Sequence, residues 1–265
     1  MSPEEAVAGF ALEKLPSGPR VLARLVSAIR QPEVQLTDVA ELFHADPALT
    51  ARVVAASNSA YYARPVKVAD IREAVFHLGM AEVSRLVQVA TLTDFKRHPT
   101  HLYSDTANHF WERSIHTALV CEEIGPHVPL AYTAGIMHLV GVWVLCGIFP
   151  SSQRSIAERE LELQAEIEHL RLGVNFAYAG SQVLQRWGFP PSVCDAIRWQ
   201  LTPSLLSRSE HYELAQVLHR AVAIADWYYG VKNEITLIRS DLNITDLEAC
   251  NERVSAQVAR IGFGF

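Results

Sequence analysis

The run Ala131–Phe149, AYTAGIMHLVGVWVLCGIF, constrains this chain more than any other stretch. It holds no Asp, Glu, Lys or Arg, and the charge-free segment extends from Ile124 to Gln153. About 20 apolar residues can span a bilayer, so a membrane helix is the first reading to test. Against it stand His138 at the midpoint, Gly135, Gly141 and Gly147, and Pro126, Pro129 and Pro150 at the flanks. The flanks also lack the Lys/Arg anchors that orient membrane segments. A helix that is apolar on every side equally suits the centre of a large helical bundle. We therefore read Leu130 to Cys146 as one buried central helix of a soluble protein. His138 within it becomes the residue to explain.

With 265 residues the chain has room for one large domain or two smaller ones. Residues 1–100 carry 11 Lys/Arg and 11 Asp/Glu, whereas residues 101–265 carry 12 and 18, which leaves the second part at −6. Such a surface argues against non-specific adhesion to nucleic acid or anionic lipid. Cys121, Cys146, Cys194 and Cys250 are widely spaced with no C-x-x-C pair, so they read as small buried apolar groups in a reducing compartment. The N-terminus is acidic and lacks the pattern of a signal peptide, so a cytoplasmic location is expected. On those grounds the sequon Asn243-Ile244-Thr245 carries little weight.

Helical punctuation recurs along the chain. Ala6 to Lys14 reads as a short helix, and Arg20 to Arg30 places Val21, Leu22, Leu25, Val26 and Ile29 on one stripe. Thr37 or Asp38, with Glu41, can cap a helix, and Asp46-Pro47 opens another through Ser57. Ala69 to Leu78 is closed by Gly79, and Met80 to Phe95 follows. After a boundary at His98-Pro99-Thr100, helices are expected over Asp105–Ile124, Ser152–Leu172, Phe176–Trp187, Ser192–Gln200 and Glu210–Tyr229. Thr245 to Glu248 reads as the capping box of a helix ending at Gly262. Glu234 to Arg239 is the only strand-like segment. The fold expected is all-α.

Phosphate loops, nucleophile elbows and HExxH are absent. What stands out is an ordered set of phrases: Leu15-Pro16, Asp46-Pro47-Ala48-Leu49-Thr50-Ala51-Arg52-Val53, Ser57-Asn58-Ser59-Ala60-Tyr61-Tyr62, Ile71-Arg72-Glu73-Ala74-Val75 and Leu78-Gly79. Phe110-Trp111, Ala134-Gly135-Ile136-Met137-His138 and Trp187-Gly188-Phe189-Pro190 continue the series. This order resembles the HDOD family, non-catalytic relatives of the HD phosphohydrolases of bacterial signalling. The resemblance implies an HDOD domain over residues 14–209. Within it an N-terminal helical bundle (1–98) packs on an HD-like bundle that begins at 101–209 and is completed by helices in 210–265.

HD hydrolases hold metal through a histidine, a His-Asp dyad and a later Asp, a donor set that leaves positions open for water and phosphate. The resemblance places the dyad on His138-Leu139, the first histidine on Arg113 and the last carboxylate on Asp226. Extra histidines of related enzymes fall at Asn175-Phe176 and Trp199-Gln200. Two of the four core donors are lost, so no cofactor, metal or catalysis is expected. A convergence of Arg113, His138 and Asp226, with the guanidinium standing in for the metal's charge, is the sharper expectation. The bland one is a buried, hydrogen-bonded His138 and a structural Asp226.

The helix pair Leu36–Ser57 could suggest a DNA reader, but its second helix offers only Arg52 as a base, and Asp46 sits in the turn. Tyr61-Tyr62 reads as core before stacking platform. The expected role is regulation through a protein partner. A groove between the two bundles, with Asn58, Tyr61 and Tyr62 as candidate contacts, is the natural binding place. A nucleotide second messenger in the degenerate site, or residual metal-dependent phosphohydrolysis, are the alternatives. The tail Phe263–Phe265 is too short to anchor in a membrane.

Overall fold

Short polar caps and glycine stops divide the chain into helices. The computed structural model describes residues 2–9, 18–29, 35, 39–40, 42–43, 47–58, 62, 68–97, 104–149 and 161–262. Among these residues there are helices and no strand. The N-terminal helices are α1 (Pro3–Gly9), α2 (Gly18–Ile29), α3 (Pro47–Ser57) and α4 (Ile71–Arg97). The HD-like part comprises α5 (Ser104–Ile124), α6 (Ala131–Met137), α7 (Val140–Ile148), α8 (Leu161–Leu172), α9 (Phe176–Arg186) and α10 (Pro191–Arg198). It continues through a 3₁₀ turn (Pro203–Leu206), α11 (Tyr212–Tyr228), α12 (Glu234–Ser240) and α13 (Ile244–Gly262).

In the N-terminal bundle α2 and α3 pack on α4, whose apolar side buries Val83, Leu86, Val87, Ala90 and Leu92. The expected break at Gly79 is present: its φ of 77° lies where a side chain would strain, and α4 kinks there. Arg52, the lone base of the would-be recognition helix, makes a two-pronged ion pair with Asp94, its Nη2 donating to Oδ2 at 2.6 Å. Helix α4 lies against α5 and α6, and α5 packs on α6, α11 and α13. One contiguous apolar cluster runs from Val7 in α1 to Val254 in α13, and α1 itself sits on α7 and α9. All four cysteines are free and buried.

Several expectations change in detail. The first helix starts earlier, at Pro3 of Pro3–Gly9, because Ser2 and Glu5 form a reciprocal capping box (Glu5 N–H to Ser2 Oγ 3.0 Å, Ser2 N–H to Glu5 Oε2 2.6 Å), and its expected run from Phe10 to Lys14 lies outside the described residues. The strand-like Glu234–Arg239 is helix α12, started by Asn233, whose Oδ1 accepts the Thr236 N–H at 2.8 Å. The last helix is capped by Asn243, which takes the Asp246 N–H at 2.9 Å, in place of the Thr245–Glu248 box. That use of Asn243 is a structural account of the sequon. Caps expected at Thr37, Asp38 and Asp46, the boundary at His98-Pro99-Thr100, Tyr61 and Phe263–Phe265 lie outside the described residues.

The central stretch is also corrected. It is two helices, α6 and α7, with a turn at His138-Leu139. Val142 N–H bonds the Leu139 carbonyl at 2.9 Å, three residues back, which releases the His138 carbonyl from the helical ladder. Gln200 Nε2 takes that carbonyl at 3.1 Å. Long and apolar enough to cross a membrane, Ala131–Ile148 is nevertheless 89% buried inside the fold.

Two glycines let neighbouring backbones reach this stretch. A Cβ on Gly141 would stand 1.8 Å from the Phe176 carbonyl oxygen and 2.5 Å from the Gly180 nitrogen, where α7 crosses α9. A Cβ on Gly135 would stand 2.5 Å from the Ala118 Cα of α5. Because the obstacles are backbone, they yield only by moving helices. Gly141→Ala should therefore cost about 3 kcal/mol, a fall of roughly 6–12 °C in Tm, read by circular dichroism. Gly9→Ala, with nothing among the described residues within 4 Å of the added carbon, should change stability by about 0.5 kcal/mol or less.

Candidate functional site

Arg113 on α5 and Asp226 near the end of α11 form an ion pair in the interior, at 3% and 0% side-chain exposure. They meet because α5 and α11 pack side by side. Arg239 of α12 brings a second guanidinium, its Nη1 3.8 Å from Asp226 Oδ2, and its Nε lies 3.1 Å from Glu162 of α8. Four helices are thus joined through charges. The Arg113 carbon Cζ also sits 6.0 Å from the Tyr229 ring centre. Burial lowers the Arg113 pKa to about 10, helped by the nearby Arg239, and this still leaves it charged at neutral pH.

His138 is fully buried at the α6–α7 turn, and its Nδ1 lies 2.6 Å from the Gly135 carbonyl. A carbonyl oxygen only accepts, so Nδ1 carries the proton. Burial drives the His138 pKa down to about 3; the Gly135 bond raises it and the Arg113 charge lowers it further. The ring is therefore neutral, and Nε2 is a bare lone pair without a partner among the described residues. That is the tautomer of a metal-binding imidazole. Leu139, next in the chain, is fully buried apolar core.

The resemblance to HD enzymes raises the question of a divalent cation at this centre. One imidazole and one carboxylate remain, and the carboxylate is engaged by two guanidinium groups. Among the described residues no group of three or more His, Cys, Asp or Glu side chains could hold a metal ion. The donor set does not fit a divalent cation, and the ionic geometry fills the place with positive charge instead.

A family model for the HDOD domain matches residues 15–203. The chain belongs to the HDOD domain family. Among similar proteins, an uncharacterized protein of Treponema pallidum (strain Nichols) is 25% identical over 203 residues, 71% of this chain and 38% of that protein. The chain thus spans well under half of that relative. A candidate phosphohydrolase from Shewanella amazonensis SB2B has a TM-score of 0.65 at 25% identity, covering 95% of this chain and 93% of its own. A candidate signal transduction protein from Marinobacter aquaeolei VT8 has a TM-score of 0.71 at 22% identity, covering 98% and 64%. Both share the HD-like helical fold.

Of the residues singled out from sequence, Arg113 and Asp226 meet as an ion pair, and the Arg113 charge acts on His138, which bonds the Gly135 carbonyl and is followed by the buried Leu139. The positions matching extra histidines are structural: Asn175 caps α9 by accepting the Tyr178 N–H at 3.0 Å, and Gln200 holds the His138 and Ile197 carbonyls. The Trp187-Gly188-Phe189-Pro190 phrase ends α9, with Phe189 N–H on the Leu184 carbonyl and Gly188 N–H on the Gln185 carbonyl, both at 3.0 Å. Asn58 is spent on backbone, donating to Val54 and Val68 carbonyls and accepting the Val68 N–H at 2.8 Å. Tyr62 donates its hydroxyl to Glu82.

Sequence reading missed Arg239, which the strand assignment had hidden. The capping Asn233-Glu234 was the signal that could have found it. It also missed the buried His116, whose Nε2 lies 2.8 Å from Asn251 Oδ1 and whose pKa burial lowers to about 4.

Removing one partner of a buried pair strands the other. Asp226→Asn should cost about 3–5 kcal/mol in chemical denaturation, whereas the apolar double variant R113M/D226L should come back to within about 1 kcal/mol of wild type. His138 gives a pH signature. Its folded-state pKa lies below the unfolded value, so the unfolded chain binds the proton first and stability falls as pH drops below 6.5 toward 3. The stability difference between wild type and His138→Gln should shrink by about 1.4 kcal/mol per pH unit between pH 6 and 4.5.

Proposed function

We propose that this chain is a non-catalytic regulatory module of bacterial signalling that works in the cytoplasm by binding a protein partner. One observation carries the reading: a guanidinium, Arg113, is buried against Asp226, in a chain where the family resemblance puts the dyad on His138-Leu139. A catalytic HD centre needs a cation with open positions for water and phosphate. Here the corresponding space holds a fixed positive charge and apolar side chains. We take Arg113, His138, Leu139 and Asp226 as vestiges of that centre, kept because the ion pair ties helices together. The N-terminal bundle (1–98) and the HD-like bundle (101–265) are then two packed units whose mutual seating is what a partner reads. The candidate signal transduction neighbour accords with such a role.

The rival reading is residual phosphohydrolysis, favoured by the likeness to the candidate phosphohydrolase of Shewanella amazonensis. Purified chain incubated with Mn²⁺, Fe²⁺ or Zn²⁺ should retain no stoichiometric metal by elemental analysis and should not hydrolyse a phosphodiester. Stoichiometric metal with turnover would establish the rival. The vestige itself is tested by R113H/L139D, which should bind about one divalent ion where the wild type binds none. A double variant that folds and stays metal-free would show that these positions do not converge as an ancestral site. Calorimetry against cyclic dinucleotides should give flat traces, and affinity capture from the native cell should return a protein.

A further inference from the structure

Among the described residues two carboxyl groups are buried, Asp226 and Glu168, and their surroundings are opposite in kind. Asp226 has two guanidinium groups beside it. Glu168 of α8, 4% exposed, takes part in no ion pair among the described residues and is met only by N–H donors. Its Oε2 accepts the Phe176 N–H at 2.7 Å, and its Oε1 accepts Gln164 Nε2 at 2.6 Å. Phe176 opens α9, so the carboxyl group sits at the positive end of that helix. Asn175 caps the same end by taking the Tyr178 N–H, so α9 has one side-chain cap of its own and one lent by α8.

The neighbours leave the group poised between its two forms. From α7 the Cys146 thiol faces it, kept protonated by burial and by the Glu168 charge. Helix α9 carries no charged residue before Arg186 in its last turn. On α8 itself Glu162 is paired with Arg239 of α12, and Glu166, His169 and Arg171 are exposed. Burial raises the Glu168 pKa to about 7, although both hydrogen bonds favour the charged form. Gln164 suits either form, since its amide offers an N–H to the carboxylate and, turned over, a carbonyl to the acid O–H.

Helix α8 is held along one side. Leu161, Gln164, Ala165 and Glu168 are buried, whereas Leu163 and Leu170 are 46% and 83% exposed. Past its end the chain turns into α9 through Gly173, at a φ of 75°. We propose that Glu168 is a pH-sensitive latch, holding α8 against α7 and α9 when neutral and loosening it when ionised. The sign follows from linkage: an acid whose folded-state pKa is raised keeps its proton better when α8 is docked, so docking weakens as pH rises from about 4.5 and levels off above 7. Ionisation leaves a charge buried without a counter-charge, and releasing α8 returns it to water. This adds a pH input to the chain and does not depend on how the Arg113 centre is read.

Hydrogen exchange of the full chain between pH 5 and 8, corrected for intrinsic rates and read by mass spectrometry, tests the latch. Protection of residues 161–172 should fall about tenfold or more between pH 5 and 7 and then level off. In Glu168→Gln, which cannot ionise, it should stay flat. Peptides of α5 and α11 should not follow the fall. Protection of α8 that ignores pH in the wild type would overturn the proposal, as would the same fall in Glu168→Gln or an equal fall in α5 and α11. Should Glu168→Gln fail to fold, Gln164→Leu decides: it removes a bond that favours the charged form, so the levelling point should move to higher pH, and an unmoved one would overturn the latch.

Discussion

The ion pair between Arg113 and Asp226 is the contact on which the HD-like bundle turns. Two charges taken out of water lose several kcal/mol of hydration each, and their attraction recovers this only when both stay in place. The pair therefore adds little net stability while forbidding any packing that separates α5 from α11. Arg239 and Glu162 extend the constraint to α12 and α8. Neighbouring imidazoles obey the same field: His138 and His116 are held neutral by burial, and Arg113 lowers both further. Among the described residues, the Asp226 carboxylate of this centre is engaged by two guanidinium groups.

Around that centre, close backbone approach does the rest. Gly135 and Gly141 admit α5 and α9 to distances that any side chain would forbid. The turn between these glycines frees the His138 carbonyl, and Gln200 answers it from beyond α10. Gln200 thus serves as a clasp on that turn. The seam between bundles is of a different character: Tyr62, Glu82, Arg85 and Glu122 form a half-exposed polar chain across it. Half-exposed pairs of this sort are individually weak. The interior of the HD-like bundle is thus pinned by buried charge, whereas the two bundles meet through a shared apolar core edged by these half-exposed pairs.

Much of this was legible in advance where the signal was local. The stripe of α4, the glycine stop at Gly79 and the ends of α5, α9 and α11 follow from periodicity and from caps within a few residues. Errors fell where two local signals competed. Glu234–Arg239 has alternating apolar residues, yet Asn233 before it satisfies the first free N–H groups and starts a helix. Asn243 outcompeted the Thr245–Glu248 box because it sits where its side chain reaches an N–H three residues on, as Ser2 does at the first helix. At the site, motif order was enough to name Arg113, His138 and Asp226, while Arg239 carried no motif and was found only through its geometry.

By itself the sequence determined that the chain is helical, that Ala131–Phe149 must be hidden from water, and that an apolar Leu139 follows His138. Those properties reside in residue type and short-range spacing. Only the tertiary structure decided that the apolar stretch is two helices, since the break depends on Gln200, 62 residues away, accepting the role of the next turn. It alone showed that Arg113 and Asp226 face each other, since that contact joins residues 113 positions apart and arises from how α5 and α11 pack. Whether a buried charge is compensated is a property of position in three dimensions, because hydration is lost atom by atom wherever the neighbours close in.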